Sequence, residues 1–434
     1  MKKIKQLQVT TPQGEAGLLT HDVRFVFNYT SSERERETSV VMPMRAESYA
    51  SGAMLSPFTM NMPEGFLLQK IAERLAKHGS FNEMTLLAFT GANQIGRLSF
   101  HAPEASRTRA KIQIGKKELL NQSSTSELFE FLLETYLESG ISGVQPKVMV
   151  PDADKPVPSS NPAALDGRLT VVHADLIVKA RGEEYPHLAA NEFLCMTAAK
   201  KAGLRVPEFW LSKDNNLFVM ERFDLVDNAQ LGFEDMAVLM GKTTERDHKY
   251  KSSYEAIAKA INIFCGENNM ESLNRLFEYV ALSVMVRNGD AHLKNFGLLY
   301  DHPNSGNAPT LAPLYDVVTT TAYDLVNPKP GTTMVDRKMA LNLNHGKEYP
   351  NRKDLLEFAK ICFVKHPGQV LERIADAMQA TLEEHGGRLE KQFLDRMKRE
   401  WDEGRHSLEL APYTRSPNPS KKILASVVRD ADIE

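Results

Sequence analysis

Residues 288–295 read NGDAHLKN, with Asp290 and Asn295 five residues apart. That is the spacing of a kinase catalytic loop, where the aspartate takes the proton of the acceptor hydroxyl and the asparagine holds magnesium. Taken alone, the pair reads more simply as two turn residues that cap and close a loop. The next residues change the balance. Residues 296–300 (FGLLY) and 310–315 (TLAPLY) read as two short strands around a polar turn carrying Asn, Pro and Gly, and Asp316 ends the second strand. A hairpin placed after a catalytic loop delivers a second aspartate to the metal that bridges the β- and γ-phosphates. Aspartate, asparagine and aspartate are hard oxygen donors, suited to magnesium rather than zinc.

Upstream, residues 271–287 read as a helix through Leu273, Leu276, Phe277, Val280 and Val284 that feeds directly into the loop, with another helix over 254–264. Residues 216–223 (NLFVMERF) read as a strand leading out of a first lobe, with Glu221, Arg222 and Phe223 at the position of an interlobe hinge. Before it lies a helix over 188–201, closed by Gly203 and Pro207. Residues 169–179 (LTVVHADLIVK) form a strand ending in Lys179, which either pairs with nucleotide phosphates or is a solvated strand-end charge. Glu192, one element later, stands where a kinase places the glutamate that steadies such a lysine. Earlier still, residues 139–150 read SGISGVQPKVMV. A Gly-rich turn lets backbone N–H groups approach a phosphate, though neither GxxxxGK[ST] nor GxGxxG is present, and a plain hairpin turn fits as well.

The remaining chain supplies a frame. Residues 23–29 (VRFVFNY) alternate like a half-buried strand, 64–78 form a helix through Leu67, Leu68, Ile71 and Leu75, and 97–100 and 111–114 return as strands. A second helix covers 124–138, opened by a capping box from Ser124 to Glu127, and 152–162 is a Pro- and Ser-rich exposed loop. Downstream come a strand over 335–343, helices over 353–363, 370–385 and 388–405, and a polar, partly disordered end over 412–434.

A chain of 434 residues, 42% hydrophobic and 25% charged, has room for two or three globular domains. A net charge of −3 argues against binding nucleic acid by bulk electrostatics, so any DNA contact is expected to be shared with a partner. Cys195, Cys265 and Cys362 are dispersed in apolar patterns and read as buried small hydrophobes, not as a disulfide framework or zinc site. No apolar run approaches the roughly 20 residues of a membrane span, and the opening MKKIKQLQV lacks a signal-peptide core, so the expectation is a cytoplasmic protein without membrane contact.

Gly-rich turn, strand lysine, helix glutamate, hinge, D-x-x-x-x-N loop, hairpin and aspartate come in the one order that builds a bilobal kinase. The expected fold is therefore α+β and protein-kinase-like: an N-terminal α+β subdomain over 1–123, a mixed α/β nucleotide-binding core over 124–223 and a mainly helical lobe over 224–434. The chain resembles the HipA family, the kinase toxins of bacterial toxin–antitoxin pairs. That resemblance rests on SGISGVQPK (139–147), LIVK (176–179), NEFLC (191–195), MERFD (220–224), the acidic pair Glu234 and Asp235, NGDAHLKNF (288–296) and LAPLYD (311–316). With the N-terminal α+β extension, it looks like the full-length toxin rather than the shorter split form.

By that resemblance, Ser142, Gly143, Val144, Gln145, Pro146 and Lys147 would cradle the ATP phosphates, and Lys179 would bind them. Glu221, Arg222 and Phe223 would meet the adenine. Asp290 would be the catalytic base, Asn295 and Asp316 would hold magnesium, and His292, Lys294 and Tyr315 would line the nucleotide. His292 also stands two residues after the base, where ordinary protein kinases carry a lysine that stabilises the transferring group; a loop-packing histidine is the alternative. The family regulates itself by phosphorylating a serine beside the Gly-rich turn. Here Gly140 replaces the serine of some relatives, Ser142 matches the second serine of others, and Ser139 lies one position early.

The resemblance implies a serine/threonine kinase toxin acting on a protein such as an aminoacyl-tRNA synthetase. A small helix-turn-helix antitoxin would bind it and carry it to operator DNA. Two other functions stay in view: a small-molecule kinase of the antibiotic type, which usually has His in place of Asn288 and lacks SGVQPK, and a catalytically silent partner of a DNA-binding repressor.

Overall fold

The computed structural model describes residues 4–76, 81–102, 114–121, 125–143, 145–155, 174–180, 184–226, 229–243, 245–324 and 334–411. Alternation drives the N-terminal sheet: β1 (Gln6–Thr11) buries Leu7, Val9 and Thr11 on one face. With β2 (Gly14–His21), β3 (Phe25–Tyr29), β4 (Tyr49–Ser51) and β5 (Ser99–His101) it forms an antiparallel sheet in the order β4-β3-β2-β1-β5. Its apolar face makes a core of its own, separate from the larger core of the rest of the chain. The helix Gly65–Ala76 buries Leu67, Ile71 and Leu75 at successive turns. A further helix, Glu83–Thr90, escaped the sequence reading. It is capped by Asn82, which accepts the Thr85 N–H at 2.9 Å, but it is buried on most of its surface and carries no amphipathic stripe to betray it.

The central sheet, β6 (Lys147–Val150), β7 (Leu176–Ala180), β8 (Phe209–Leu211) and β9 (Leu217–Glu221), is antiparallel in the order β6-β7-β9-β8. Its register sets Lys147 opposite Lys179. The helix Leu188–Lys201 packs against it and ends at Gly203, whose φ of +74° lets the Leu204 N–H reach the Ala199 carbonyl at 3.0 Å. A short hairpin, β10 (Leu225–Val226) and β11 (Ala229–Gln230), then leads to a three-stranded sheet of β12 (Gly232–Asp235), β13 (Gly297–Tyr300) and β14 (Thr310–Leu311). The helices Tyr254–Phe264, Asn269–Met285, Arg352–Ile361, Pro367–His385 and Lys391–Ser407 fill the rest.

Several expectations need correction. The strand expected through Tyr315 stops at Leu311, because Pro313 has no N–H to continue a ladder; Ala312 and Leu314 donate instead to the carbonyls of Gly297 (2.9 Å) and Arg205 (2.8 Å). The strand expected over 97–100 lies at Ser99–His101, and that over 335–343 begins at Lys338. The start of the expected exposed loop is not exposed: Asp152 is buried and accepts the N–H groups of Lys116 and Asp154, each at 3.0 Å. Ser124 and its capping box, the strand residues 111–113 and 169–173, and the end of the chain over 412–434 lie outside the described residues. The three cysteines are buried and unpaired. Among the described residues no helix is long and apolar enough to cross a membrane.

Two buried polar networks hold the N-terminal sheet and its helices onto the remainder. Glu234 on β12 accepts hydrogen bonds from Ser39 Oγ (2.7 Å), the Val40 N–H (2.9 Å) and the Tyr300 hydroxyl. Arg222 pairs with Asp224 at 2.6 Å and donates to the Gln94 carbonyl at 2.6 Å, while Asp224 accepts the Gly96 N–H at 2.7 Å. Burial at these places is tolerated because Glu234 is hydrogen-bonded by three donors and Arg222 and Asp224 are both paired and hydrogen-bonded.

Candidate active site

The catalytic-loop sequence is shaped by its own side chains. Asn288 is buried and its Oδ1 accepts the Asp290 N–H at 3.0 Å, an Asx turn that aims Asp290 outward. Gly289 is required there, since a Cβ would come within 2.6 Å of the Lys338 carbonyl oxygen and 2.9 Å of Thr320 Oγ1. A single turn of 3-10 helix, Leu293–Asn295, follows, and Asn295 Oδ1 accepts the His292 N–H at 3.1 Å. Asp316 sits in the left-handed region with φ of 59°, a strained conformation for a non-glycine residue and one that surrounding contacts must enforce.

These groups face one cavity of about 1500 Å³ between the central sheet, the helical part and the N-terminal subdomain. Of the site residues read from the sequence, Ser142, Gly143, Gln145, Pro146, Lys147, Lys179, Phe223, Asp290, His292, Lys294, Asn295, Tyr315 and Asp316 all line it. Val144 lies outside the described residues. Glu221 and Arg222 are not among the lining residues: the Arg222 guanidinium is buried against Asp224 and Gln94, and the Glu221 carboxylate lies 3.6 Å from Lys155. Only Phe223 of that trio faces the cleft, stacked on Tyr315 with ring centroids 5.1 Å apart. Of the acidic pair, Glu234 is buried away from the cavity, and Asp235 lines it while capping the helix Met236–Leu239 by accepting the Val238 N–H at 2.8 Å.

The centre of the cleft is a buried ion cluster. Lys179 Nζ donates to Glu192 Oε1 at 2.6 Å and to Asp316 Oδ1, and Lys147 Nζ lies 3.8 Å from Asp316 Oδ2. Burial opposes the charge on Lys179, but Asp316 and Glu192 more than offset it and raise its pKa. Burial likewise opposes ionisation of Asp316, and the two lysines override it and hold its carboxyl well below the usual range. Lys147, with less complete pairing, is lowered by burial. Gly143, at φ of +120°, leaves room for that ammonium: a Cβ there would stand 2.5 Å from Lys147 Nζ.

His292 is 8% exposed, and its Nδ1 has no hydrogen-bond partner among the described residues. Burial pushes its pKa down to about 4, with Asp290 only partly opposing, so the ring is neutral at pH 7. It can therefore offer a hydrogen bond toward the cleft but not, in this state, the positive charge of a lysine. The unfolded chain protonates near pH 6.5 while the folded one resists to about pH 4, so stability falls as pH drops through that window. His292→Gln is expected to remove on the order of 2 kcal/mol of the stability lost between about pH 7 and 5, read by urea unfolding at both values.

Glu64, Lys249 and Tyr250 line or border the same cleft, and sequence reading missed all three. Glu64 accepts hydrogen bonds from Ser142 Oγ (2.9 Å), Lys249 Nζ (3.1 Å) and Lys294 Nζ (3.2 Å). Burial works against its charge, but Lys294 and Lys249 pull its pKa down to about 2. Lys294, expected on the nucleotide, thus reaches the N-terminal subdomain. Ser139 is buried and not in the cleft, donating to the Tyr136 carbonyl at 2.7 Å and accepting the Met149 N–H at 2.9 Å. No spacing rule links Glu64 to residues far along the chain, so only a hypothesis of subdomain docking could have found it.

The arrangement fits a nucleotide triphosphate with magnesium. His292 Nδ1 is buried without a hydrogen-bond partner among the described residues, two ammonium groups converge below the glycine turn, and Asn295 and Asp316 supply hard oxygens. Among the described residues no group of three or more His, Cys, Asp or Glu gathers for a metal ion. Two protein oxygen ligands suit an ion that takes its other oxygens from phosphates and water.

Comparison with known proteins follows the same lines. Residues 7–101 match the family model of the HipA N-terminal domain and residues 139–385 that of the HipA-like C-terminal domain. The protein named "Putative kinase Y4dM" of Sinorhizobium fredii is 25% identical over 326 residues, covering 69% of this chain and 72% of that one. The serine/threonine-protein kinase toxin HipA of Shewanella oneidensis is 23% identical over 328 residues, covering 69% and 71%. A solved complex of Shewanella oneidensis HipA, HipB and operator DNA superposes with a TM-score of 0.65 at 18% identity, covering 91% of this chain and 95% of that one. The fold is therefore the kinase-like α+β fold expected from the motifs.

Proposed function

The chain belongs to the HipA family, and on that premise we propose that it is an ATP- and magnesium-dependent serine/threonine protein kinase, the toxin of a toxin–antitoxin pair. Its target is a translation component such as an aminoacyl-tRNA synthetase. A small helix-turn-helix antitoxin neutralises it and carries it to operator DNA. The observation that carries the reading is the Lys179 ammonium held between Glu192 and Asp316 in a cleft that also holds Asp290 and Asn295.

Chemically, the cleft has the parts for in-line transfer. Asp290 is exposed at its mouth and takes the proton of the incoming hydroxyl as that oxygen bonds to the γ-phosphorus and the bond to the β-phosphate oxygen breaks, releasing ADP. Lys179 and Lys147 lie where they can meet phosphate oxygens, and Phe223 with Tyr315 offers an aromatic wall for the base. Asn295 and Asp316 would hold magnesium, which would supply charge neutralisation at the phosphates.

Autophosphorylation at Ser142 is part of the proposal. Its hydroxyl lines the cleft and donates to Glu64. A phosphate there, carrying about −1.5 to −2 charge, would face the Glu64 carboxylate and displace the glycine turn. Ser139, with its hydroxyl doubly engaged beneath the sheet, is the less accessible alternative. After incubation with ATP and magnesium, phosphopeptide mapping is expected to find the modified residue at Ser142, and turnover should fall as the modification accumulates. Unmodified Ser142 and Ser139 in turning-over protein would overturn this part. The toxin reading is tested by inducing the wild-type chain without its antitoxin: growth arrest supports it, whereas unimpaired growth with antibiotic resistance would mark a small-molecule kinase.

A further inference from the structure

The carboxylate that takes the acceptor's proton must be held still although it stands at an exposed position. Among the described residues, the side chain that holds Asp290 is Tyr250, whose hydroxyl donates to Oδ1 at 3.0 Å. Tyr250 closes a short 3-10 turn, Arg246–Tyr250, that is fixed from three directions. Its neighbour Lys249 is ion-paired with Glu64 of the N-terminal subdomain at 3.1 Å. Its carbonyl accepts from Lys347 Nζ at 3.2 Å. Its ring meets His292 edge-on, centroids 5.1 Å apart at 75°.

We infer that Tyr250 is a positioning residue for Asp290: its hydroxyl occupies one carboxylate oxygen and turns the other toward the acceptor hydroxyl. The inference rests on the kinase reading, in which Asp290 is the base. A carboxylate accepts at both oxygens, so one can be anchored while the other works. Burial and the Asp290 charge push the Tyr250 pKa far up, so the phenol keeps its proton and remains a donor. The anchor also has a distant root. Ser142 on the glycine turn, Glu64, Lys249 and Tyr250 form a continuous path of hydrogen bonds, ion pairs and chain to the base. The glycine turn and the base are thereby braced against the same subdomain.

Steady-state ADP release by the full chain, with ATP and magnesium varied, tests this in Tyr250→Phe, Tyr250→Ala and Asp290→Ala. Tyr250→Phe keeps the ring against His292 and removes only the hydroxyl. Its kcat is expected to fall roughly 10- to 100-fold, the scale of a misplaced catalytic group, with KM for ATP and the unfolding midpoint unchanged. Tyr250→Ala should lose at least as much in kcat. A wild-type kcat in Tyr250→Phe would overturn the proposal and leave the ring as mere packing. A faster Tyr250→Phe would overturn it too, by showing that the phenol blocks the acceptor's place. A change confined to KM for ATP would do the same. If Asp290→Ala also turns over normally, or the wild type releases no ADP, it is the kinase reading that fails.

Discussion

Replacing Asp290 by alanine is expected to lower ATP turnover by about 10²–10⁴-fold, the contribution of a positioned general base. Growth arrest on expression should disappear with it. The effect should fall on chemistry and not on folding, because Asp290 is exposed and, among the described residues, its side chain accepts one hydrogen bond, from Tyr250, that water can replace. Surface changes of this kind shift stability by roughly 0.5 kcal/mol or less. The backbone that presents it is held by others: Asn288 Oδ1 takes the Asp290 N–H, and Thr320 Oγ1 takes the Gly289 N–H at 2.7 Å. Nucleotide affinity should also survive, since Lys179, Lys147 and Asp316 are untouched. A phosphoproteome compared between cells expressing wild type and Asp290→Ala would then name the substrate. Undiminished turnover in the alanine variant would remove Asp290 from the chemistry altogether.

What could be read from the sequence follows the range of the interactions involved. The helix Tyr254–Phe264 was legible from its amphipathic spacing, and Leu188–Lys201, buried nearly all round, from its length and the Gly203 and Pro207 that close it; both kinds of signal are local. That Asp290, Asn295 and Asp316 share one cleft was legible because they are close in the chain and come in a known order. Lys179 and Glu192 are adjacent elements, so their ion pair could be foreseen from order alone, though not its 2.6 Å geometry. The direction of the Arg222 side chain was not legible, because a hinge position says nothing of where a guanidinium turns. It turned away from the cleft toward Asp224 and the carbonyl of Gln94, a partner supplied by a distant segment. Glu64 and Tyr250 were invisible for the same reason. Glu64 finds its partners only once the N-terminal subdomain is docked and otherwise reads as an ordinary acid at the start of a helix, while Tyr250 meets Asp290 forty residues on through the folding of its own lobe. Physical reasoning on one sequence finds groups that recur in a fixed order and loses those assembled by tertiary closure.

The sharpest test of the cleft's electrostatics is Lys179→Met, which should fail in two separable ways. Glu192 is fully buried, its Oε2 has no partner, and its Oε1 is held by the Lys179 ammonium. Removing that ammonium leaves a carboxyl in the core with nothing to pair with, a defect worth about 3–5 kcal/mol in buried pairs. Part of the loss should be recovered by protonation: burial already raises the Glu192 pKa to about 6 even with the lysine present, and without it the pKa must rise further. The destabilisation is therefore full above the raised folded pKa and fades as pH falls toward the unfolded carboxyl's 4.5. Adding Glu192→Gln to Lys179→Met should restore most of the stability at pH 8, because a neutral amide no longer demands a counter-charge. It should not restore turnover, since the ammonium proposed to meet the phosphates is still missing and Asp316 has lost its closest cation. Urea unfolding and ADP release on the single and double variants separate the two effects. If Lys179→Met were as stable as wild type at pH 8, the ammonium would not be what keeps Glu192 ionised in the core, and the alignment of Asp316 by that same group would have no support.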